Sequence, residues 1–119
     1  MRALERSSIQ VGDSAVVIGP GPIGLAVLSV LSNLGLQSLI MVGLKKDKIR
    51  MELAKELGAT HVIYADEEND VDAIKRITGG KGVDSAFEAS GFHESLQKSV
   101  KMVRKGGEIL FDRRSKLRS

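Results

Sequence analysis

Along the chain, continuous apolar runs alternate with stretches in which apolar positions recur every three or four residues. "SAVVIG" (14–19) and "SLIMVG" (38–43) have the unbroken apolar character of strands buried on both faces. "THVIYA" (60–65), "VDSAFEA" (83–89) and "EILF" (108–111) predict three further strands. Between them, "PIGLAVLSVLSNLG" (22–35) predicts a helix stopped at Gly35. "KDKIRMELAKELG" (46–58) predicts a second, with an apolar stripe of Ile49, Leu53 and Leu57 together with Met51 and Ala54, ended by Gly58. "DVDAIKRITGG" (70–80) and "FHESLQKSVKMVRKGG" (92–107) predict the last two helices. Strands alternating with helices over short links require right-handed crossovers and a parallel sheet covered on both faces. The expectation is a doubly wound α/β domain of five strands, without repeats or linkers.

Length and composition narrow the chemistry. The 119 residues suffice for one such core and are too few for two. There is no cysteine, which excludes disulfides, a thiolate zinc site and a cysteine nucleophile within the chain. His61 and His93 lie far apart with no carboxylates at ligand spacing, so they are expected at the surface or a strand edge, and no metal site is expected. The net charge of +3 is spread among acids, and Tyr64, Phe87, Phe92 and Phe111 are scattered, so nothing supports nucleic-acid binding. The longest apolar segment, 23–36, is interrupted by serines and an asparagine, so no membrane span is expected. The N-terminal "MRALERSSIQVGDS" has no apolar signal-peptide region, which makes the cytoplasm the expected location.

The first strand–helix junction carries the strongest chemical signal. In "VVIGPGPIGLAV" the glycines fall at Gly19, Gly21 and Gly24, closing a buried strand and opening a helix. In that setting Gly19 permits the tight turn, Gly21 lets a pyrophosphate approach the backbone, and Gly24 lets the helix pack on the sheet. Pro22 has no N–H and a φ suited to the first helical position. The free donors facing the phosphates are therefore expected to be the amides of Ile23 and Gly24, at the positive end of the helix dipole.

With "GD-x-AVVIGPGPIGL", "ELAKELGA", "GVDSAFEASG" and "KGGEILF" in this order, the chain resembles the coenzyme-binding domain of the zinc-type medium-chain alcohol dehydrogenases. The polyol and threonine dehydrogenase branch is the nearest in character, and the resemblance runs from about Ile9 to Phe111. It implies a six-stranded Rossmann domain, NAD or NADP as cofactor, and reversible oxidation of an alcohol to a carbonyl. It also implies a separate catalytic domain whose Cys, His and Glu residues hold zinc. No such domain is expected within residues 1–119, so no catalytic residue is assigned and the chain alone is expected to bind cofactor without turnover. The closing "DRRSKLRS" (112–119) departs from the family and is read as a tail, leaving the sixth strand missing.

Cofactor choice turns on the end of the second strand, where NAD-preferring domains carry an acid about 20 residues past the glycines. Gly43 stands there, so the main barrier to a 2′-phosphate is missing, and "LKKDKIR" follows with Lys45, Lys46 and Arg50. Cations at a helix N-terminus oppose its dipole unless an anion is near. NADP is therefore favoured, with Asp47 as the residue that would swing back to a ribose and rescue NAD. By resemblance Arg50 lies against the adenosine end. Ala89, Ser90 and Gly91, after the fourth strand, are candidates for the nicotinamide side, with Ser90 alternatively a cap for the next helix. Asp84 is expected to be structural. The edge of "EILF" is expected to join a second copy of the chain. A nucleotide-sensing module without catalysis is the alternative function, and the zinc-independent quinone reductases are the alternative relatives.

Overall fold

The computed structural model describes residues 2–111, and side chains from Leu4 to Phe111. Five strands, β1 (Ser14–Ile18), β2 (Ser38–Gly43), β3 (His61–Tyr64), β4 (Val83–Glu88) and β5 (Val103–Phe111), form one sheet in the order β3-β2-β1-β4-β5. Every pairing is parallel. The helices are α1 (Arg2–Arg6), α2 (Pro22–Leu31), α3 (Lys48–Glu56), α4 (Asp70–Ile77) and α5 (His93–Met102). The chain is therefore the doubly wound α/β domain that its apolar pattern predicts.

Alternation along the strands divides the core between the two faces of the sheet. Ala15 and Val17 of β1, with Leu39, Met41 and Phe87, pack against Val27, Leu28 and Leu31 of α2 and Met51 and Ala54 of α3. Val16 and Ile18, with Ile40, Val42, Ile63 and Ala86, pack against Ala73 and Ile74 of α4 and Met102 of α5. Both faces of β1 and β2 are thus covered, which is why their sequences are apolar at nearly every position.

Three expectations need correction. The α3 stripe is narrower than its sequence suggests: Met51 and Ala54 are buried, whereas Ile49 is 87% exposed and Leu53 is also exposed. The 51/54 line faces the sheet, and Ile49 and Leu53, four residues apart in the same helix, fall on another face that points away from it; the Lys45–Asp47 turn before α3 is a separate 3-10 turn. The last helix ends at Met102 rather than 107, and β5 begins at Val103. Val103 is already extended (φ −83, ψ 150) and pairs with Val83; the ladder then skips to Ser85↔Glu108, leaving a bulge that holds Arg104 to Gly107. Arg104 closes this bulge by donating from Nε to Asp84 Oδ1 at 2.6 Å, while Asp84 Oδ2 accepts the Ser14 amide at 2.8 Å. Finally, α1 has no counterpart in the predicted elements; it packs against β5.

The segment after α1 is fastened by Glu108, which accepts from the hydroxyls of Ser7 (2.9 Å), Ser8 (3.1 Å) and Ser85 (2.7 Å) and from the Ser8 amide (3.0 Å). Burial pushes the Glu108 carboxyl up, but these donors outweigh it and hold it below the usual carboxylate value. Asp84 behaves alike: burial raises it, while the Ser14 amide, Arg104 and the charge of Lys81 together bring it lower. The tail at 112–119 lies outside the described residues.

Candidate functional site

A cleft of about 750 Å³ opens across the carboxyl ends of the strands, where ligands bind in open α/β sheets. Its centre is the β1–α2 turn. Gly19 has φ +107, and its amide donates to Val42 O at 2.9 Å, pinning the turn to β2. A Cβ on Gly19 would stand 2.8 Å from Ser90 N, so this turn and the turn after β4 touch backbone to backbone. A Cβ on Gly24 would meet Gly19 O at 1.8 Å, which leaves no room for any side chain there. Gly21 differs. It is the N-cap of α2 with φ −71 and ψ −177, and a Cβ on it would have nothing within 4 Å. The three glycines therefore have separate duties, and only Gly21 faces space that a ligand can take.

Pro22 occupies the first position of α2, and Leu25 makes the first intrahelical bond, to Gly21 O at 2.9 Å. The Ile23 and Gly24 amides are thus left at the helix end without intrahelical acceptors. Open space before Gly21, two backbone donors and the positive end of a helix fit a pyrophosphate.

The end of β2 forms the next wall. Gly43 is buried and packed: a Cβ there would meet Met51 Sδ at 2.6 Å and Pro20 Cδ and Cγ at 3.1 Å. The acid typical of NAD-preferring domains is thus absent, and introducing it would require Met51 and Pro20 to shift. Lys46, Asp47 and Arg50 line the cleft. Lys45 does not; its ammonium pairs with Glu67 at 3.6 Å and its amide donates to Asp66 Oδ1 at 3.1 Å, which turns it toward the β3–α4 loop.

Ser90 lines the cleft from the opposite side. It is not the cap of α5, whose N-cap is Phe92; its hydroxyl donates to Glu88 Oε1 and accepts the Phe92 amide at 3.3 Å. Residues beyond the predicted set complete the lining: Ala65, Asp70, Glu94, Ser95, Lys98 and Met102. Glu94, Lys98 and Met102 fall at i, i+4 and i+8 of one helix, a spacing that marks a shared face without saying that the face borders a cleft. Asp70, buried at the start of α4, takes the Val71 amide at 2.9 Å and pairs with Lys98 at 3.7 Å. His61 opens β3 and His93 opens α5; both are exposed, at the surface where they were expected.

A parallel sheet whose central strand ends in a glycine turn, beneath a cleft at the carboxyl ends, defines a Rossmann-type domain. Comparison with known proteins makes this specific: the chain belongs to the zinc-binding dehydrogenase family, which matches residues 22–111. It is similar to a sorbitol dehydrogenase of Bacillus subtilis, 35% identical over 92% of this chain and 30% of that protein. An NADP-dependent isopropanol dehydrogenase of Clostridium beijerinckii is 39% identical over 88% of this chain and 29% of its own length. Benzyl alcohol dehydrogenase of Acinetobacter calcoaceticus superposes with a TM-score of 0.85 and 34% identity, over 92% of this chain and 30% of that one. The chain thus spans about three tenths of the relatives it matches. Zinc, which the family name implies, finds no donor set here: no group of three or more His, Cys, Asp or Glu side chains converges among the described residues. Among those residues no helix is long and apolar enough to cross a membrane.

Proposed function

We propose that the chain is the nicotinamide-dinucleotide-binding domain of a dehydrogenase that oxidises an alcohol or polyol to a carbonyl, with NADP as the preferred cofactor. The observation that carries this reading is the pairing of two neighbouring features: an unobstructed Gly21 before two free helix amides, and a β2 end without an acid, where Met51 and Pro20 crowd any added side chain. When bound, the nicotinamide ring supplies the hydride acceptor. The residues of this chain bind and orient it. The Ile23 and Gly24 amides take the pyrophosphate, Gly21 keeps its path clear, and Lys46 and Arg50 take the 2′-phosphate. Lys45, turned to Glu67, is left out of that set. The name of the isopropanol dehydrogenase relative, which is NADP-dependent, favours the same cofactor.

Calorimetric titration of the chain with NADPH and NADH tests the proposal. NADPH is expected to bind about tenfold more tightly, the scale of one added charged hydrogen bond. Equal affinities overturn the cofactor preference, and no binding of either overturns the function.

Association of two copies through the sheet edge belongs to the same reading. Among the described residues β5 pairs only with β4, so its outer edge offers unpaired backbone groups. Light scattering over a concentration series tests it with Leu110→Pro as the control, and a chain that stays monomeric throughout overturns it.

A further inference from the structure

The turn after β4 runs from the end of its strand to the start of α5. The last ladder bond on its strand side is the Ala89 amide to Ile18 O at 2.8 Å, and the first bond of α5 is the Leu96 amide to Phe92 O. Between them lie Ser90, Gly91 and Phe92, and Gly91 has the left-handed φ of +78. Two donors of Ser90 and one of Gly91 converge on one side chain. Glu88 Oε1 accepts the Ser90 amide at 2.9 Å and the Ser90 hydroxyl, and Oε2 accepts the Gly91 amide at 3.0 Å. Glu88 is only 5% exposed, so a carboxylate there must be matched by donors, and these three match it.

Their geometry matters because Ser90 is the point at which this turn meets Gly19. The cleft is bounded by the glycine turn, the ends of β2 and β3, the turn after β4, and residues of α4 and α5. No residue of β5 lines it. Ser90 faces the Gly43, Lys46 and Arg50 wall across this cleft, so the adenosine half of a dinucleotide held at that wall would lie between the two. A role on the nicotinamide side is the alternative outcome of the test below.

We propose that Glu88 is a positioning residue for the adenosine half of the cofactor: its carboxylate holds the 90–91 turn against Gly19 and so fixes the width of the cleft. The proposal rests on the dinucleotide reading above. Glu88 does not line the cleft and need not touch the ligand. Glutamine cannot replace it, because the amide NH₂ brings a donor to the Gly91 N–H where an acceptor is needed.

The test compares wild type with Glu88→Gln and Glu88→Ala by titration with NADPH and with 2′,5′-ADP, and by amide hydrogen exchange. Both ligands are expected to weaken by the same factor, about tenfold, the scale of one lost charged hydrogen bond. The Ser90 and Gly91 amides are expected to exchange faster while the Ala89 amide, bonded to Ile18, keeps its protection. A merely structural residue would lower the denaturant midpoint without changing ligand affinity in the folded protein, and that result overturns the proposal. Loss of NADPH affinity with 2′,5′-ADP unchanged overturns it as well, because the turn would then serve the nicotinamide half. If a variant fails to fold, Ser90→Ala removes one of the three donors and leaves the fold's core untouched; a smaller weakening, equal for both ligands, is expected, and none overturns the proposal. Failure of the wild type to bind NADPH overturns the function, and is distinct from a wild type that binds while Glu88→Gln binds equally well.

Discussion

The crowding at Gly43 predicts how this domain responds to an attempt to change its cofactor. Gly43→Asp supplies the acid that selects NAD elsewhere, and the backbone permits it, since Gly43 has no positive φ. Space resists it. The new Cβ would stand 2.6 Å from Met51 Sδ and 3.1 Å from two atoms of Pro20. Methionine can shift, but Met51 is 0% exposed and packed in the core between α3 and the sheet. Overpacking of this kind costs about 1–3 kcal/mol. Met51→Ala alone is expected to cost about 2–5 kcal/mol by leaving a cavity. In the double variant the aspartate occupies part of that cavity, so the two costs are expected to fall short of their sum by about 1–2 kcal/mol.

Urea denaturation of the four proteins measures the cycle, and NADPH and NADH titrations measure its consequence. Between unit charges about 4 Å apart near a surface the repulsion is roughly 4 kcal/mol at most. Solvent screens part of it, so the double variant is expected to lose NADPH by about 10- to 100-fold while NADH holds or improves. Gly43→Asp alone is expected to lose stability first and to discriminate less cleanly, because its carboxylate has been displaced by the clash. Costs that add within about 0.5 kcal/mol, or a Gly43→Asp protein as stable as wild type, would refute the steric argument.

Other perturbations follow from the same contacts. Asp84 and Glu108 are held below their unfolded values, so the stability they contribute is complete above about pH 5 and is lost as pH falls below the ordinary carboxylate range of about 4 toward their lower folded values; in urea melts below about pH 5 the Asp84→Asn/Glu108→Gln protein should show a flatter acid limb than wild type, and an unchanged slope would contradict the assignment. Gly21→Ala should keep its denaturant midpoint within about 1 kcal/mol of wild type yet lose dinucleotide affinity, whereas Gly24→Ala, with its Cβ 1.8 Å from Gly19 O, should lose stability outright. Lys46→Ala with Arg50→Ala should bring NADPH affinity down to that of NADH, and Lys45→Ala should not; calorimetry separates them. The 119-residue chain assayed with primary and secondary alcohols, with and without added zinc, is expected to show no turnover, since it has no cysteine and no convergent donor set among the described residues.

What the sequence made legible follows the reach of each physical signal. Strands β1 and β2 and the helix between them are written in local pattern, because burial on both faces leaves each strand apolar beyond its opening serine, Ser14 or Ser38. The duties of Gly21 and Gly24 are also local, set by one turn and its own helix, whereas Gly19 also meets Val42 of β2 and Ser90 after β4. Where the deciding partner is distant, local pattern fails. "KMVRKGG" has helical periodicity, yet Val103 leaves the helix because Val83 offers a ladder and Arg104 reaches Asp84, 20 residues away in the chain. Lys45 and Lys46 are adjacent identical side chains; only the presence of Glu67 beside one of them separates a structural cation from one that faces the cleft. Gly43 shows the same limit from the other direction. An absent acid can be read from a string of letters, but the cost of restoring it lies with Pro20 and Met51 and needs the fold. Glu88 belongs with these cases. Its position at the end of a buried strand suggests a carboxylate with a task, and the task itself, holding two residues of a turn against a glycine contributed by another strand, exists only once β1 and β4 lie side by side.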